Sequence, residues 1–440
     1  MWSRRGGLPP SRRGGRQQRP WRKHGESADE SSDRGGGIAG LCLALALHQR
    51  GIACEVFEAV PEVREIGAGI TLLPHAMREL SDLGLQPQLE ALAIENLESV
   101  FFNRYGQFVY REPRGRHAGY ELPELGIHRG RLHRVLFEAA VQRLGPGAVH
   151  TGHRCVRVDQ SAHGATVHFA PDAQGHVPPS ATADIVVACD GVNSAVRRQF
   201  YPQEELAFGG INTWRGVSRF KPILTGKSYL RIGSVDTGKM VIYPIEDNVD
   251  GQGMQRINWV AEIRDPQMRM NDWNRAGRME DVLEIFGGWS FDWLDVPALI
   301  RSAETIFEYP MVDKDPVDQW SFGRVTLLGD AAHPMYPRGS NGSAQAMRDA
   351  RVLADLLAAD PQGDPLALLA AYEASRLPAT SQVVLTNRST PPDFIIMKAD
   401  ELSGGQPFGH IDELISQDEL RAIARHYEQV AGFANPQSQG

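Results

Sequence analysis

The residues best suited to chemistry lie in Arg324-Val-Thr-Leu-Leu-Gly329-Asp330-Ala-Ala-His333-Pro334-Met-Tyr-Pro337-Arg-Gly339-Ser-Asn341-Gly342. The apolar run Val325 to Leu328 has the length and composition of an interior strand, and it ends in a Gly329-Asp330 turn. A second glycine-rich turn then opens a helix expected over residues 342–358. Asp330 at the strand's carboxyl end can hydrogen-bond ribityl or ribose hydroxyls. The amides that follow Gly339 form the positive end of a helix, which stabilises anionic charge. Hydroxyls along one stretch and negative charge on the pyrimidine edge of a reduced ring are what a flavin presents. Pro337 and Gly339 shape the turn, because only an unencumbered backbone lets a flat ring approach. By itself the segment is also compatible with a generic strand-turn-helix of an α/β domain.

Two further segments share that logic. Gly35-Gly36-Gly37-Ile38-Ala39-Gly40 fits Gly-x-Gly-x-x-Gly and leads into an apolar helix from Leu41 to His48, closed by Arg50 and Gly51. A strand from Ile52 to Phe57 follows and ends in Glu58, about 20 residues past the glycines, where an acid takes adenosine ribose hydroxyls. An acid there argues against a 2′-phosphate. Ala183-Asp184-Ile-Val-Val-Ala-Cys189-Asp190-Gly191-Val-Asn193-Ser194 is a second interior strand, ending in Asp-Gly before a helix near Ser194.

In this order, fingerprint, Asp-Gly and Gly-Asp resemble the class A flavoprotein monooxygenases, the single-component aromatic hydroxylases related to para-hydroxybenzoate and salicylate hydroxylase. Glu65-Ile-Gly67-Ala-Gly69-Ile70 resembles that family's flavin-covering loop, and Ile127-His128-Arg129-Gly-Arg-Leu132 its Arg-x-x-Leu element. The phrases Gly209-Gly-Ile-Asn-Thr-Trp214-Arg215-Gly216, Tyr243-Pro244-Ile245 and Tyr309-Pro310-Met311-Val312-Asp313 are most similar to the phenazine-hydroxylating branch. The resemblance covers residues 35 to about 390. It implies that Gly35, Gly37, Gly40 and Glu58 hold the ADP half of FAD, and that Asp190 and Gly191 lie near FAD and the passing nicotinamide. Gly329, Asp330, Pro337, Gly339, Asn341 and Gly342 would hold the ribityl chain and flavin ring, with Gly69, Ile70, Arg129 and Val156 as further FAD contacts. NADH or NADPH would serve as co-substrate, and O2 would add to the flavin as a C4a-hydroperoxide that hydroxylates a small aromatic or heteroaromatic ring.

That chemistry needs a dry pocket, and Trp214, Tyr243, Met311 and Tyr336 are candidates for its apolar roof. His75 and Arg215 are candidate substrate contacts. His333 could be read as a general base, but a structural role fits it better. Two other functions compete. A flavin-dependent halogenase shares the fold, yet its Gly-Trp-x-Trp-x-Ile-Pro signature is absent, since Gly288-Trp289 and Trp293 lack the following Ile-Pro. A degenerate, FAD-poor binding protein is the other.

The elements that must position these residues point to an α/β (α+β) fold: a Rossmann-like FAD-binding domain from 35–206 and 310–375, with part of 70–125 on the substrate side. An antiparallel substrate domain is expected at 207–309, roofing the flavin, and a helical region at 376–440. The segment Gly25-Glu-Ser-Ala-Asp-Glu-Ser-Ser-Asp-Arg34 departs from the family, whose members carry an apolar strand directly before the first glycine; such a polar run cannot fill a parallel sheet's interior. Residues 1–34 therefore read as a disordered basic tail or a translation artefact. They hold nine Lys or Arg against four Asp or Glu, a net of +5 within a chain of −8, which leaves −13 for the rest. So acidic a body speaks against nucleic acid as a partner. No run of about 18 apolar residues exists to span a membrane. The four cysteines lack metal or redox spacing and fit a reducing cytoplasm. No metal site is expected, and a monomer or homodimer is equally compatible.

Overall fold

The computed structural model describes residues 37–432 apart from 63, 64, 66, 146 and 266–274; Gly35 and the basic tail lie outside the described residues. In chain order the first half comprises Ile38–Gln49 (α1), Val56–Phe57 (β1), Gly69–Leu72 (β2), Pro74–Asp82 (α2), Ile94–Glu95 (β3), Glu98–Phe102 (β4), Phe108–Pro113 (β5), Leu125–His128 (β6), Arg129–Leu144 (α3), Val149–His150 (β7), Cys155–Ser161 (β8), Gly164–Phe169 (β9), Ala181–Ala183 (β10), Val186–Ala188 (β11) and Ala195–Phe200 (α4). The second half comprises Ala207–Phe220 (β12), Ser228–Ser234 (β13), Gly238–Glu246 (β14), Gln255–Arg264 (β15), Met279–Phe286 (α5), Val296–Arg301 (α6), Ala303–Asp313 (β16), Val325–Leu327 (β17), Gly342–Ala359 (α7), Pro365–Ser389 (α8), Phe394–Ser403 (α9) and Gln417–Ala431 (α10).

α1 is apolar on every face and is buried from Ile38 through Leu47, because α3 and α7 pack against it. Its last turn closes with Gly51 at φ +72 and with Ile52 N–H donating to Leu47 O, a Schellman ending that only glycine adopts without strain. The parallel strands form two groups. β1 pairs with β7, and β11 pairs with β17, which is flanked on its other side by Ser321–Phe322. Between the mononucleotide-type half and the rest sits a three-stranded antiparallel sheet in the order β2-β6-β3.

The large sheet has eight strands, in the order Arg275–Ala276, β16, β12, β15, β14, β13, β4, β5. Even-numbered residues of β14, such as Met240 and Ile242, join Trp259 and Ile257 in an outer core covered by α5 and α6. Odd-numbered Val241, Tyr243 and Ile245 form an inner face with Tyr229 and Val260. Gly126 of β6 lies against that inner face: a β-carbon there would stand 2.4 Å from Pro244 O and 3.4 Å from Tyr243 Cδ2.

β4 runs parallel to β13 in the large sheet. Two expectations change. β16 continues to Asp313, three residues past the expected start of the returning FAD segment. α8 runs from Pro365 to Ser389 through Pro378, so the boundary expected between residues 375 and 376 falls inside one helix. Burial of Tyr372, Arg376, Thr380, Val383 and Val384 along one side offsets the backbone bond that Pro378 cannot make. Cys42 and Cys189 are buried and Cys54 and Cys155 half-buried, none in a disulfide. Among the described residues no helix is long and apolar enough to cross a membrane, and no group of His, Cys, Asp and Glu could hold a metal.

Candidate active site

Parallel strands joined by helical crossovers place their carboxyl ends along one edge, which is where open α/β sheets bind ligands. Three of the motifs end there: Glu58 follows β1, Asp190 follows β11 and Asp330 follows β17. Gly329 fixes their relation. Its φ is +62, and a β-carbon on it would meet the β-carbons of Ala39 and Ala346 at 3.0 and 3.1 Å, so the Gly-Asp turn is pressed between the starts of α1 and α7. Asp330 Oδ1 lies 3.9 Å from where a β-carbon on Gly342 would stand. Buried Arg197 on α4 donates to Ala331 O at 3.0 Å and also to Ala332 O, and pairs with Glu204, which ties the Asp-Gly helix to the Gly-Asp turn.

Both helix starts at this edge lack side-chain caps. Gly37 at the start of α1 cannot provide one. Asn341 stands at the N-cap of α7, where asparagine ordinarily accepts from the first-turn amides, but its side chain is directed elsewhere. His75 Nε2 donates to Asn341 Oδ1 at 3.1 Å, and Asn341 Nδ2 donates to Tyr427 Oη at 2.9 Å. Tyr427 donates in turn to Asn387 Oδ1 at 2.8 Å, and Asn387 Nδ2 to Tyr336 O. The amides at both helix starts therefore remain available for a phosphate or an anionic ring.

Other polar groups at the edge point the same way. Glu58 is 3 % exposed, and its Oε1 accepts from Val60 N–H at 2.8 Å. Asp190 Oδ2 accepts from Ala195 N–H, while Oδ1 is buried without a partner among the described residues; burial raises its pKa. This set fits FAD: α1 amides for the diphosphate, Glu58 for a ribose, Asp330 for ribityl hydroxyls and α7 amides for the pyrimidine edge. Gly69 N–H donates to Asn258 Oδ1 at 2.6 Å and Arg129 N–H donates to Ala68 O, so the loop carrying Gly69 and half-buried Ile70 is held against the large sheet beside α3. Val156, on β8, is 45 % exposed, Gly191 takes φ +75, and Pro337 is exposed at the turn.

The substrate-side candidates separate. Tyr243 is on the inner face, stacked on Tyr229 with ring centroids 4.9 Å apart, and burial pushes its phenol pKa up. Arg215 shares that face, lies over the Tyr309 ring at 6.0 Å, and has a buried Nε with no partner among the described residues. Tyr336 and Met311 pack with Ile211 and Val235 in a small cluster. Trp214 does not join this roof. Strand alternation turns it to the outer core, where its Cδ1 is 3.1 Å from the position of a β-carbon on Gly277. His333 Nε2 contacts Asp349, which also accepts from Arg376 Nε at 2.7 Å; the ring is 4 % exposed and packed on Trp320. That geometry gives it no open face toward a substrate. His75 is buried, and burial, reinforced by the charge of Arg348, lowers its pKa to about 3. It stands neutral and acts as the donor that turns Asn341 away from α7.

Sequence reasoning missed Tyr427, Asn387 and the buried ion cluster of Lys239, Glu262, Arg338 and Asp393. Lys239 Nζ lies 2.8 Å from Glu262 and 3.3 Å from Asp393, which Arg338 meets at 2.6 Å. These pairings join residues far apart in the chain, and the only local signal is the burial pattern of Leu420, Tyr427 and Ala431 on α10. The tryptophans of the Gly288-Trp289 segment are core: Trp293 stacks on Phe102 at 4.2 Å and Trp289 meets Phe286 edge-on.

A family model described as FAD binding domain matches residues 35–387. The chain is 39% identical over 359 residues to phenazine 1,6-dicarboxylic acid hydroxylase PhzS of Lysobacter antibioticus, covering 80% of this chain and 88% of that protein. It is 34% identical over 366 residues to 3-amino-4-hydroxybenzoate 2-monooxygenase PtnB3 of Streptomyces platensis, covering 82% and 87%. Among solved structures, Klebsiella pneumoniae HpxO complexed with FAD and uric acid aligns with a TM-score of 0.72 at 25% identity, over 92% of this chain and 96% of that one.

Proposed function

We propose, for a chain that belongs to the FAD binding domain family of flavoprotein monooxygenases, that it hydroxylates a small anionic aromatic or heteroaromatic substrate with O2 and NADH or NADPH. The observation that carries this reading is the diversion of Asn341: a residue able to cap α7 is held away from it by His75 and Tyr427, leaving the helix start beside Asp330 open. FAD, when bound, supplies the transfer of one oxygen atom from O2 to the ring, with the nicotinamide as reductant.

The chain's own residues then bind, orient and exclude water. Uncapped amides of α1 would stabilise the charge of the cofactor's diphosphate, and those of α7 the charge on the pyrimidine edge of its ring. Tyr243, Tyr229, Val260 and Ile245 present an apolar wall, and Arg215 offers a cation with an unpartnered Nε to a substrate carboxylate. The acids named for the two relatives support an anionic ring.

The test is NADH and NADPH oxidation by the full chain loaded with FAD, across a panel of aromatic carboxylates and their amides, with product analysed by mass. Hydroxylated carboxylates formed without added halide are the expected result. Oxidation of nicotinamide that no panel member stimulates, or product formed only with halide, would overturn it.

A further inference from the structure

Arg197, Arg376 and Arg338 are buried with a carboxylate each, on Glu204, Asp349 and Asp393. Arg231 on β13 is 5 % exposed and makes no ion pair among the described residues. Its guanidinium lies between two rings, 4.5 Å from the centre of Tyr229 and 4.9 Å from that of Phe101, and Nη1 donates to Ser99 Oγ. Rings and a hydroxyl orient a buried cation, but they leave its charge without a counter-ion.

Strand pairing sets Arg231 in register with Arg215. Arg231 is level with Val241, Val241 with Val260, and Val260 with Arg215, so these residues form one row on the inner face, across β13, β14, β15 and β12. Three strand spacings put the ends of the row about 14 Å apart. The two side chains also lean away from each other. Arg231 reaches over Phe101 on β4, beyond β13, and Arg215 over Tyr309 on β16, beyond β12. A carboxylate oxygen and its donor nitrogen stand about 2.9 Å apart, so a single carboxylate does not bridge both cations. Between them Val241 and Val260 make an apolar floor, edged by the stacked rings of Tyr243 and Tyr229. Arg215, Val217 and Val260 are only half-buried, so the Arg215 end is the open one. The other end lies beside the start of α7: the charge of Arg231 bears on the Tyr427 hydroxyl, which Asn341 contacts.

We propose that Arg231 and Arg215 are the two ends of one substrate seat, which takes a flat aromatic dianion with acidic groups on opposite edges. The inner carboxylate supplies the counter-ion that Arg231 lacks, through the planar fork of the guanidinium. The outer one meets Arg215, whose buried Nε has no partner among the described residues, and the ring system lies on the two valines. As a substrate seat it rests on the hydroxylase reading above; as a dianion site it does not.

Equilibrium binding to the full chain loaded with FAD, without nicotinamide, tests this with naphthalene-2,6-dicarboxylate beside naphthalene-2-carboxylate. The dianion should bind at least about tenfold more tightly. Arg231→Met should bring the dianion down to the affinity of the monoanion. The monoanion can turn its one acid toward Arg215, so the same variant should weaken it by no more than about twofold. Arg215→Met should act likewise from the other end. Arg231→Lys, which keeps the charge without the fork, should fold as the wild-type chain does and retain only part of the preference. Equal binding of the two acids by the wild-type chain, or a dianion preference that Arg231→Met and Arg231→Lys leave unchanged, would overturn the proposal. Hydroxylation of monocarboxylates with no dianion preference would refute the two-ended seat and uphold the hydroxylase reading. A dianion preference lost in Arg231→Met, with no acid stimulating nicotinamide oxidation, would uphold the seat and refute that reading.

Discussion

The two sheets are assembled differently. In the eight-stranded sheet three of the seven neighbouring pairs, β4 with β5, β13 with β14 and β14 with β15, are consecutive in the chain, and pairing runs unbroken from Arg275–Ala276 to β5. The parallel strands ending at Glu58, Asp190 and Asp330 draw on residues more than 250 apart, and among the described residues they form two unconnected groups. Unbroken pairing makes the substrate sheet self-sufficient. The cofactor side keeps its parallel strands in two groups among the described residues, and function is exposed where the sheet is least redundant.

The largest break expected is Gly329→Val. The new side chain would press on Ala39 and Ala346 and force a β-branched residue to φ +62. FAD affinity should fall at least about a hundredfold while the circular dichroism of the large sheet persists. Tight FAD binding in this variant would show that the turn does not set the cofactor side.

Asp349→Ala should be next. It strands His333 and Arg376 in the interior, a loss of about 3–5 kcal/mol in urea unfolding. Asp236→Ala, which breaks an exposed pair with Arg264 on the large sheet, should change stability by less than about 1 kcal/mol. Similar losses for both would erase the contrast.

Acid sharpens the same difference. Burial raises the Asp393 pKa, but Lys239 and Arg338 outweigh it and hold the carboxyl well below its usual range. A depressed carboxylate contributes stability above its unfolded pKa of about 4, and that contribution is lost as the pH falls below it. His75, lowered to about 3 by burial, contributes in its neutral form above its unfolded pKa of about 6.5 and loses that contribution as acid charges the unfolded chain. The melting temperature should therefore fall between pH 7 and pH 4 as the His75 contribution is lost, and fall further below pH 4, with that further fall shallower in Asp393→Asn. An identical slope would remove the ion cluster from the account.

The smallest effect expected is from Tyr427→Phe. Losing the hydroxyl that joins Asn341 to Asn387 should cost about 1–2 kcal/mol and weaken FAD a few-fold, measured by fluorescence titration. Unchanged FAD affinity would mean that the network holds α10 in place without shaping the turn.

The site was legible in the sequence wherever one strand, one turn and one helix follow each other. The segment from Val325 to Gly342 and the helix after Gly37 needed only local rules, and α1 and α7 were expected to within a few residues. Trp214 was misplaced because a run of β-type residues does not reveal which parity faces the flavin; bulges in β12, such as that between Phe208 and Asn212, reset the alternation. Tyr427 was invisible because its partners, Asn341 and Asn387, are 86 and 40 residues away.

Titration of the full chain with FAD, followed by flavin fluorescence beside Asp330→Ala, tests the central claim most directly. The account expects saturable quenching at one FAD per chain, weakened at least about tenfold by Asp330→Ala. No saturable binding, or binding that Asp330→Ala leaves untouched, would contradict it.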